Sequence, residues 1–83
     1  MFYCYMLRCA NGSLYTGSTD NLERRERLHN QGKGSAYVRS RGGGVIVYAE
    51  VYPTRSAALR REAVVKRMTK AAKEKLILEK AKK

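Results

Sequence analysis

The apolar positions change their period along the chain, and glycine or polar clusters punctuate each change. Residues 2–8 (Phe-Tyr-Cys-Tyr-Met-Leu-Arg) are aromatic or apolar almost without a break. That pattern predicts a strand partly buried on both faces. Asn11-Gly12 marks a turn, and residues 14–18 read as a second short strand, so the chain opens with a hairpin. A helical period follows, with Asp20 as N-cap and Glu23 as its capping-box partner. This helix should run to about Asn30, with Gly32 near its C-cap. Residues 31–44 are Gly, Ser, Lys and Arg around Tyr37 and Val38, which predicts a basic loop holding one helical turn at most. Residues 45–52 are rich in β-branched and aromatic types and form the clearest strand.

Thr54 or Ser56 caps a second long helix to about Met68. Leu59, Ala63 and Lys66 share one stripe of it, and Ala58, Glu62 and Val65 the neighbouring one. Thr69 starts a last helix through Leu76 and Ile77. The expected fold is α/β: a small, mainly antiparallel three-stranded sheet with flanking helices, in the order β-β-α-β-α-α. With 83 residues and neither repeat nor linker, one domain spanning 1–83 is expected.

Charge sharpens the picture. Lys and Arg total 18 against 7 Asp and Glu, a net charge of +11. Such an excess repels itself in a compact chain, and a phosphate polyanion relieves it while releasing counterions. DNA is the leading partner, with RNA left open. No run approaches the roughly 20 apolar residues of a membrane helix. The start lacks a signal peptide's basic region, so a cytoplasmic protein with no membrane partner is expected. Cys4 and Cys9 fit no zinc spacing, and a single His leaves no His/Cys metal site.

Three features could carry chemistry. Leu22, Arg25 and His29 lie at i, i+3 and i+7 on one helical stripe, so a core-facing Leu22 would hold Arg25 and His29 near the sheet. A guanidinium suits a phosphate, and an imidazole can move a proton near neutral pH. Glu62 sits on an apolar stripe flanked by Arg60, Arg61, Lys66 and Arg67. Its partner is either one of those arginines or a divalent cation. The six tyrosines mostly read as packing, although a phenol beside a phosphate can position a water.

These residues resemble the GIY-YIG nucleases. Tyr3-Cys4-Tyr5 followed by Tyr15-Thr16-Gly17 is similar to the elements that name the family. The run from Tyr15 to His29 matches more strongly: Tyr-x-Gly, an acidic-leucine helix start, Arg25 ten residues after the tyrosine and His29 four later. The segment Ala57 to Glu62 places Glu62 where the family keeps its metal-binding carboxylate. The likeness runs from Tyr3 to about Leu78 and looks closest to the short stand-alone branch, with similarity to the catalytic domain of the eukaryotic branched-DNA nuclease subunit. Tyr3, Cys4 and Thr16 replace family residues at packing positions. The Asn that many members carry after the Glu helix has no counterpart, since no Asn follows Thr69.

The resemblance implies a metal-dependent DNA endonuclease, directed by DNA structure and acting in repair or recombination. One Mg²⁺ or Mn²⁺ on Glu62 would serve the scissile phosphate, Arg25 would neutralise developing charge, and Tyr5, Tyr15 or His29 would orient or deprotonate the water. Arg24, Arg27, Lys33, Arg39 and Arg41 would contact phosphates. The alternative is a catalytically weak or inactive nucleic-acid-binding module, or a subunit needing a protein partner. The resemblance also demands that Tyr5 and Tyr15 share a sheet face. A two-residue Asn11-Gly12 turn pairs residues whose numbers sum to an odd value and puts the tyrosines on opposite faces. A three- or five-residue connection or a bulge is therefore required.

Overall fold

The structure is a computed structural model and describes residues 1–81. Its elements are β1 (Phe2–Cys9), β2 (Leu14–Thr19), α1 (Leu22–Asn30), α2 (Ala36–Ser40), β3 (Gly44–Tyr52), α3 (Arg55–Lys66) and α4 (Lys70–Ala81). The sheet order is β2-β1-β3, and both neighbours run antiparallel to β1. Apart from the single turn α2, this is the expected order, and β1 is central because both of its faces are apolar.

The hairpin takes the register the two tyrosines need. Tyr5 pairs with Gly17 and Leu7 with Tyr15, an even sum. The connection is Ala10-Asn11-Gly12, closed by the Cys9 N–H on the Ser13 carbonyl at 2.8 Å and the Gly12 N–H on the Cys9 carbonyl at 2.9 Å. Gly12 has φ +89°, where a side chain would strain the backbone. This is a three-residue loop with a bulge at glycine.

Successive residues of β1 feed two cores. Cys4 and Met6 pack with Tyr48 and Val65 beneath α3 and α4. Tyr5, Leu7 and Cys9 pack with Val38, Tyr15, Leu22, Ile46 and Ala49 beneath α1 and α2. On α3 the Ala58-Glu62-Val65 stripe faces the sheet, whereas Leu59 and Ala63 are exposed. Arg8 on β1 grips Glu74 of α4 with two bonds of 2.8 and 2.6 Å. Glu50 of β3 accepts from Tyr48, from Tyr52 at 2.7 Å and from Arg61 at 2.8 Å, which ties α3 to the sheet.

One cap differs from expectation. Asn21, not Asp20, caps α1, its Oδ1 accepting the Arg24 N–H at 3.0 Å. Thr19 Oγ1 accepts the Asn21 N–H at 3.2 Å and carries the turn one residue further. Glu23 is then too early to close a capping box, and Asp20 pairs with Arg24 at 2.7 Å instead. At the chain's far end Thr69 caps α4, as expected, accepting the Ala72 N–H at 3.1 Å.

The outer edge of β3 is covered by side chains. Asn30 donates to the Gly44 carbonyl at 2.8 Å and accepts the Gly44 N–H at 2.9 Å. Glu26 accepts the Ile46 N–H at 2.7 Å, and Lys80 donates to the Ala49 carbonyl. Edge groups satisfied in this way offer no template for another strand.

Candidate functional site

Tyr5, Tyr15, Arg25 and His29 converge on the α1 side of the hairpin. The register puts both tyrosines on that face, and the helical period turns Arg25 and His29 down onto it. Tyr5 Oη lies 2.9 Å from His29 Nε2 and accepts from Arg25 Nε at 3.4 Å. The Tyr15 ring centroid is 5.3 Å from His29 and 6.4 Å from Tyr5. Tyr5 is 0% and His29 1% exposed, whereas Tyr15 and Arg25 are half-buried and meet solvent.

Two glycines make room for this cluster. A Cβ on Gly17 would lie 2.7 Å from Tyr5 Oη, 2.9 Å from Tyr5 Cζ and 3.1 Å from Tyr15 Cε2. A Cβ on Gly34 would run into His29 Nδ1. The backbone of the basic loop therefore lies directly over the imidazole, and the Ser35 N–H points at Nδ1 from 3.4 Å.

Burial shapes the protonation states. It pushes the Tyr5 phenol up to about 12, although its bond from Arg25 pulls the other way. It also pulls His29 below its ordinary value, and the Arg25 charge adds to that shift. The imidazole is thus neutral at neutral pH. Arg25 is held more firmly charged, chiefly by its bond to Tyr5.

Glu62 stands apart from the hydrogen-bonded cluster. It projects from α3, which covers the other face, and its partner is Lys66 at 2.7 Å rather than any of the flanking arginines. Its side chain is only 16% exposed, and its charge is felt at Tyr5. Among the described residues no group of three or more His, Cys, Asp or Glu side chains gathers. A single screened carboxylate fits an ion of the Mg²⁺ class, which binds one or two protein carboxylates and completes its shell with water and phosphate oxygens.

The five basic residues expected to touch phosphate differ in freedom. Lys33 and Arg39 are exposed on the loop. Arg24 and Arg27 are exposed on the side of α1 turned from the sheet, and Arg24 is engaged by Asp20. Arg41 lies flat over Tyr37, 3.5 Å from the ring centroid, and donates to the Tyr37 carbonyl at 3.0 Å. Tyr37 in turn sits 5.8 Å from Tyr15. Sequence reasoning had not singled out Tyr37, Lys66, Gly34 or Ser35 as site residues. Lys66 was visible as the i+4 partner of Glu62, and Tyr37 as the lone aromatic in a loop of small and charged residues.

Residues 1–76 match the GIY-YIG catalytic domain. The chain belongs to the GIY-YIG family. Its relatives include a UPF0213 protein of Staphylococcus haemolyticus, 43% identical over 93% of this chain and 94% of that protein. A UPF0213 protein of the archaeon Haloquadratum walsbyi is 46% identical over 89% of this chain and 83% of its own length. The solution NMR structure of a UPF0213 protein from Bacillus halodurans has a TM-score of 0.61 and 40% identity, covering 96% of this chain and 86% of that one. The GIY-YIG domain is a nuclease domain, and GIY-YIG nucleases act on DNA and generally depend on a divalent metal. No helix among the described residues is long and apolar enough to cross a membrane.

Proposed function

We propose that this protein is itself a divalent-metal-dependent endonuclease that hydrolyses DNA phosphodiesters, chooses its substrate by DNA structure and serves repair or recombination. The observation that carries the reading is the buried Tyr5–His29 pair bonded to a half-exposed Arg25 beside a half-exposed Tyr15. Burying polar groups costs stability unless every one is bonded, and packing alone gives no reason to spend them there.

Glu62 would hold one Mg²⁺ or Mn²⁺, which when bound supplies positive charge to the scissile phosphate and its leaving 3′ oxygen. Arg25 meets the phosphate from the solvent side and neutralises the charge that develops on it. Tyr5 and His29 fix the guanidinium in that pose. Tyr15, the phenol with solvent access, orients the attacking water. Lys33 and Arg39 hold the flanking backbone, so affinity comes from phosphates and not from base edges. Arg41, braced on Tyr37, adds charge at the loop's end.

The Glu62–Lys66 pair gives specific support to one other reading. An ammonium already neutralises the carboxylate, so a nucleic-acid-binding module or a subunit awaiting a protein partner has the same surface. One experiment separates them: Mg²⁺- and Mn²⁺-dependent cleavage of single-stranded, duplex, flap and four-way-junction DNA, with Glu62→Ala alongside. Cleavage lost in the variant while DNA binding survives supports the nuclease and its carboxylate together. Binding without cleavage on every substrate transfers the site to the binding-module reading.

A further inference from the structure

We infer that the backbone N–H of Ser35 fixes His29 as its Nε2–H tautomer, so that the buried Tyr5 hydroxyl accepts from two donors at once and is held in place beneath Arg25. The argument counts donors. A backbone N–H and an arginine Nε–H can only donate. The Ser35 N–H faces Nδ1 at 3.4 Å, which makes Nδ1 the acceptor and puts the ring proton on Nε2. Nε2 then donates to Tyr5 Oη at 2.9 Å, where Arg25 Nε also donates from 3.4 Å. Both phenol lone pairs are engaged, and one hydrogen, that of the Tyr5 hydroxyl, has no acceptor among the described residues.

The other tautomer is worse. It turns two N–H groups toward each other at the Gly34–Ser35 backbone and leaves both without an acceptor, two orphans in place of one. Gly34 enforces the approach, because its missing Cβ is what lets the loop lie on the ring. Ser35 is therefore a positioning residue that acts through His29. Neither His29 nor Tyr5 keeps a free lone pair with which to take a proton from water. The tautomer stands whatever the protein cuts.

His29 is the only histidine in the chain, so its ring signals are unambiguous. In long-range ¹H–¹⁵N spectra of the whole protein at pH 7.5, wild type should show the Nε2–H pattern. Ser35→Ala removes the hydroxyl that caps α2 but keeps the N–H, and the pattern should persist. Tyr5→Phe removes the acceptor at Nε2 but leaves the Ser35 N–H on Nδ1, so the Nε2–H pattern should persist there as well. An Nδ1–H pattern in wild type, or a change to it in a folded Tyr5→Phe variant, overturns the inference.

Discussion

Replacing Gly17 by alanine sets a methyl group where Tyr5 already is. The new carbon would lie 2.7 Å from Oη and 2.9 Å from Cζ of a ring that is 0% exposed. The obstacle is not the far end of a flexible chain, because Oη is fixed by His29 and Arg25. The ring must shift, and overpacking of this kind costs about 1–3 kcal/mol. Shifting it also weakens two hydrogen bonds, each worth about 1 kcal/mol net. For a chain of this size each kcal/mol lowers Tm by roughly 4–8 °C. Thermal unfolding by circular dichroism reads the loss directly, and Arg25, no longer fixed by Tyr5, should bind phosphate more weakly. A double-mutant cycle isolates the cause. Tyr5→Phe deletes Oη, the nearest atom, so Gly17→Ala should cost less in that background by roughly 1 kcal/mol. A Gly17→Ala protein with unchanged Tm, or strictly additive costs, would refute the reasoning that this glycine exists to seat the Tyr5 hydroxyl.

Glu50 governs acid stability. Burial raises its pKa, but the Arg61, Tyr48 and Tyr52 bonds more than offset that and hold it at about 2. A folded pKa depressed from 4.5 gives stability that is present above about 4.5 and lost as pH falls toward 2. Urea unfolding should show Glu50→Gln destabilised by roughly 2–3 kcal/mol at pH 7 and by almost nothing at pH 2; a gap that persists at pH 2 contradicts the linkage. His29 should add an earlier limb, with stability starting to fall below about pH 6.5 as the unfolded chain takes up the proton first. Unpairing the β3 edge with Glu26→Ala and Asn30→Ala together should cost about 2 kcal/mol and produce dimers or larger species in sedimentation; an unchanged monomer would show the edge needs no cover. DNA affinity measured by anisotropy should fall linearly in log–log form with salt, and Lys33→Ala or Arg39→Ala should flatten that slope more than Arg24→Ala, because Asp20 already occupies Arg24. A salt-independent affinity would remove phosphate binding altogether.

What could be read in the chain, and what could not, divides along a physical line. The strands and long helices carry local signals: an unbroken apolar run for β1, β-branched residues for β3, a 3.6-residue period for α1 and α3. The shared face of Tyr5 and Tyr15 was demanded by the family resemblance, because the Asn11-Gly12 signal alone put them on opposite faces; once the register is known, two residues on a ladder and two on a helix have fixed relative directions. Asp20 and Asn21 are both good caps, and local propensity could not choose between them. The choice fell to Thr19, whose hydroxyl holds the turn one residue later. The face of the sheet that α3 covers is not a local property at all. The Ala58-Glu62-Val65 stripe showed that Glu62 points inward, but not which residues it neighbours, because that depends on the route of the chain after β3. The basic loop was legible as charge and illegible as shape. Its small residues have no preferred conformation of their own, and what bends Gly34 and Ser35 over His29 is the ring beneath them. Gly17 and Gly34 need neither a turn nor a positive φ, and each is small because another side chain already fills its Cβ position. A glycine inside a strand or before a cap is therefore itself a marker of a buried neighbour, and here both neighbours belong to the Tyr5–His29 pair.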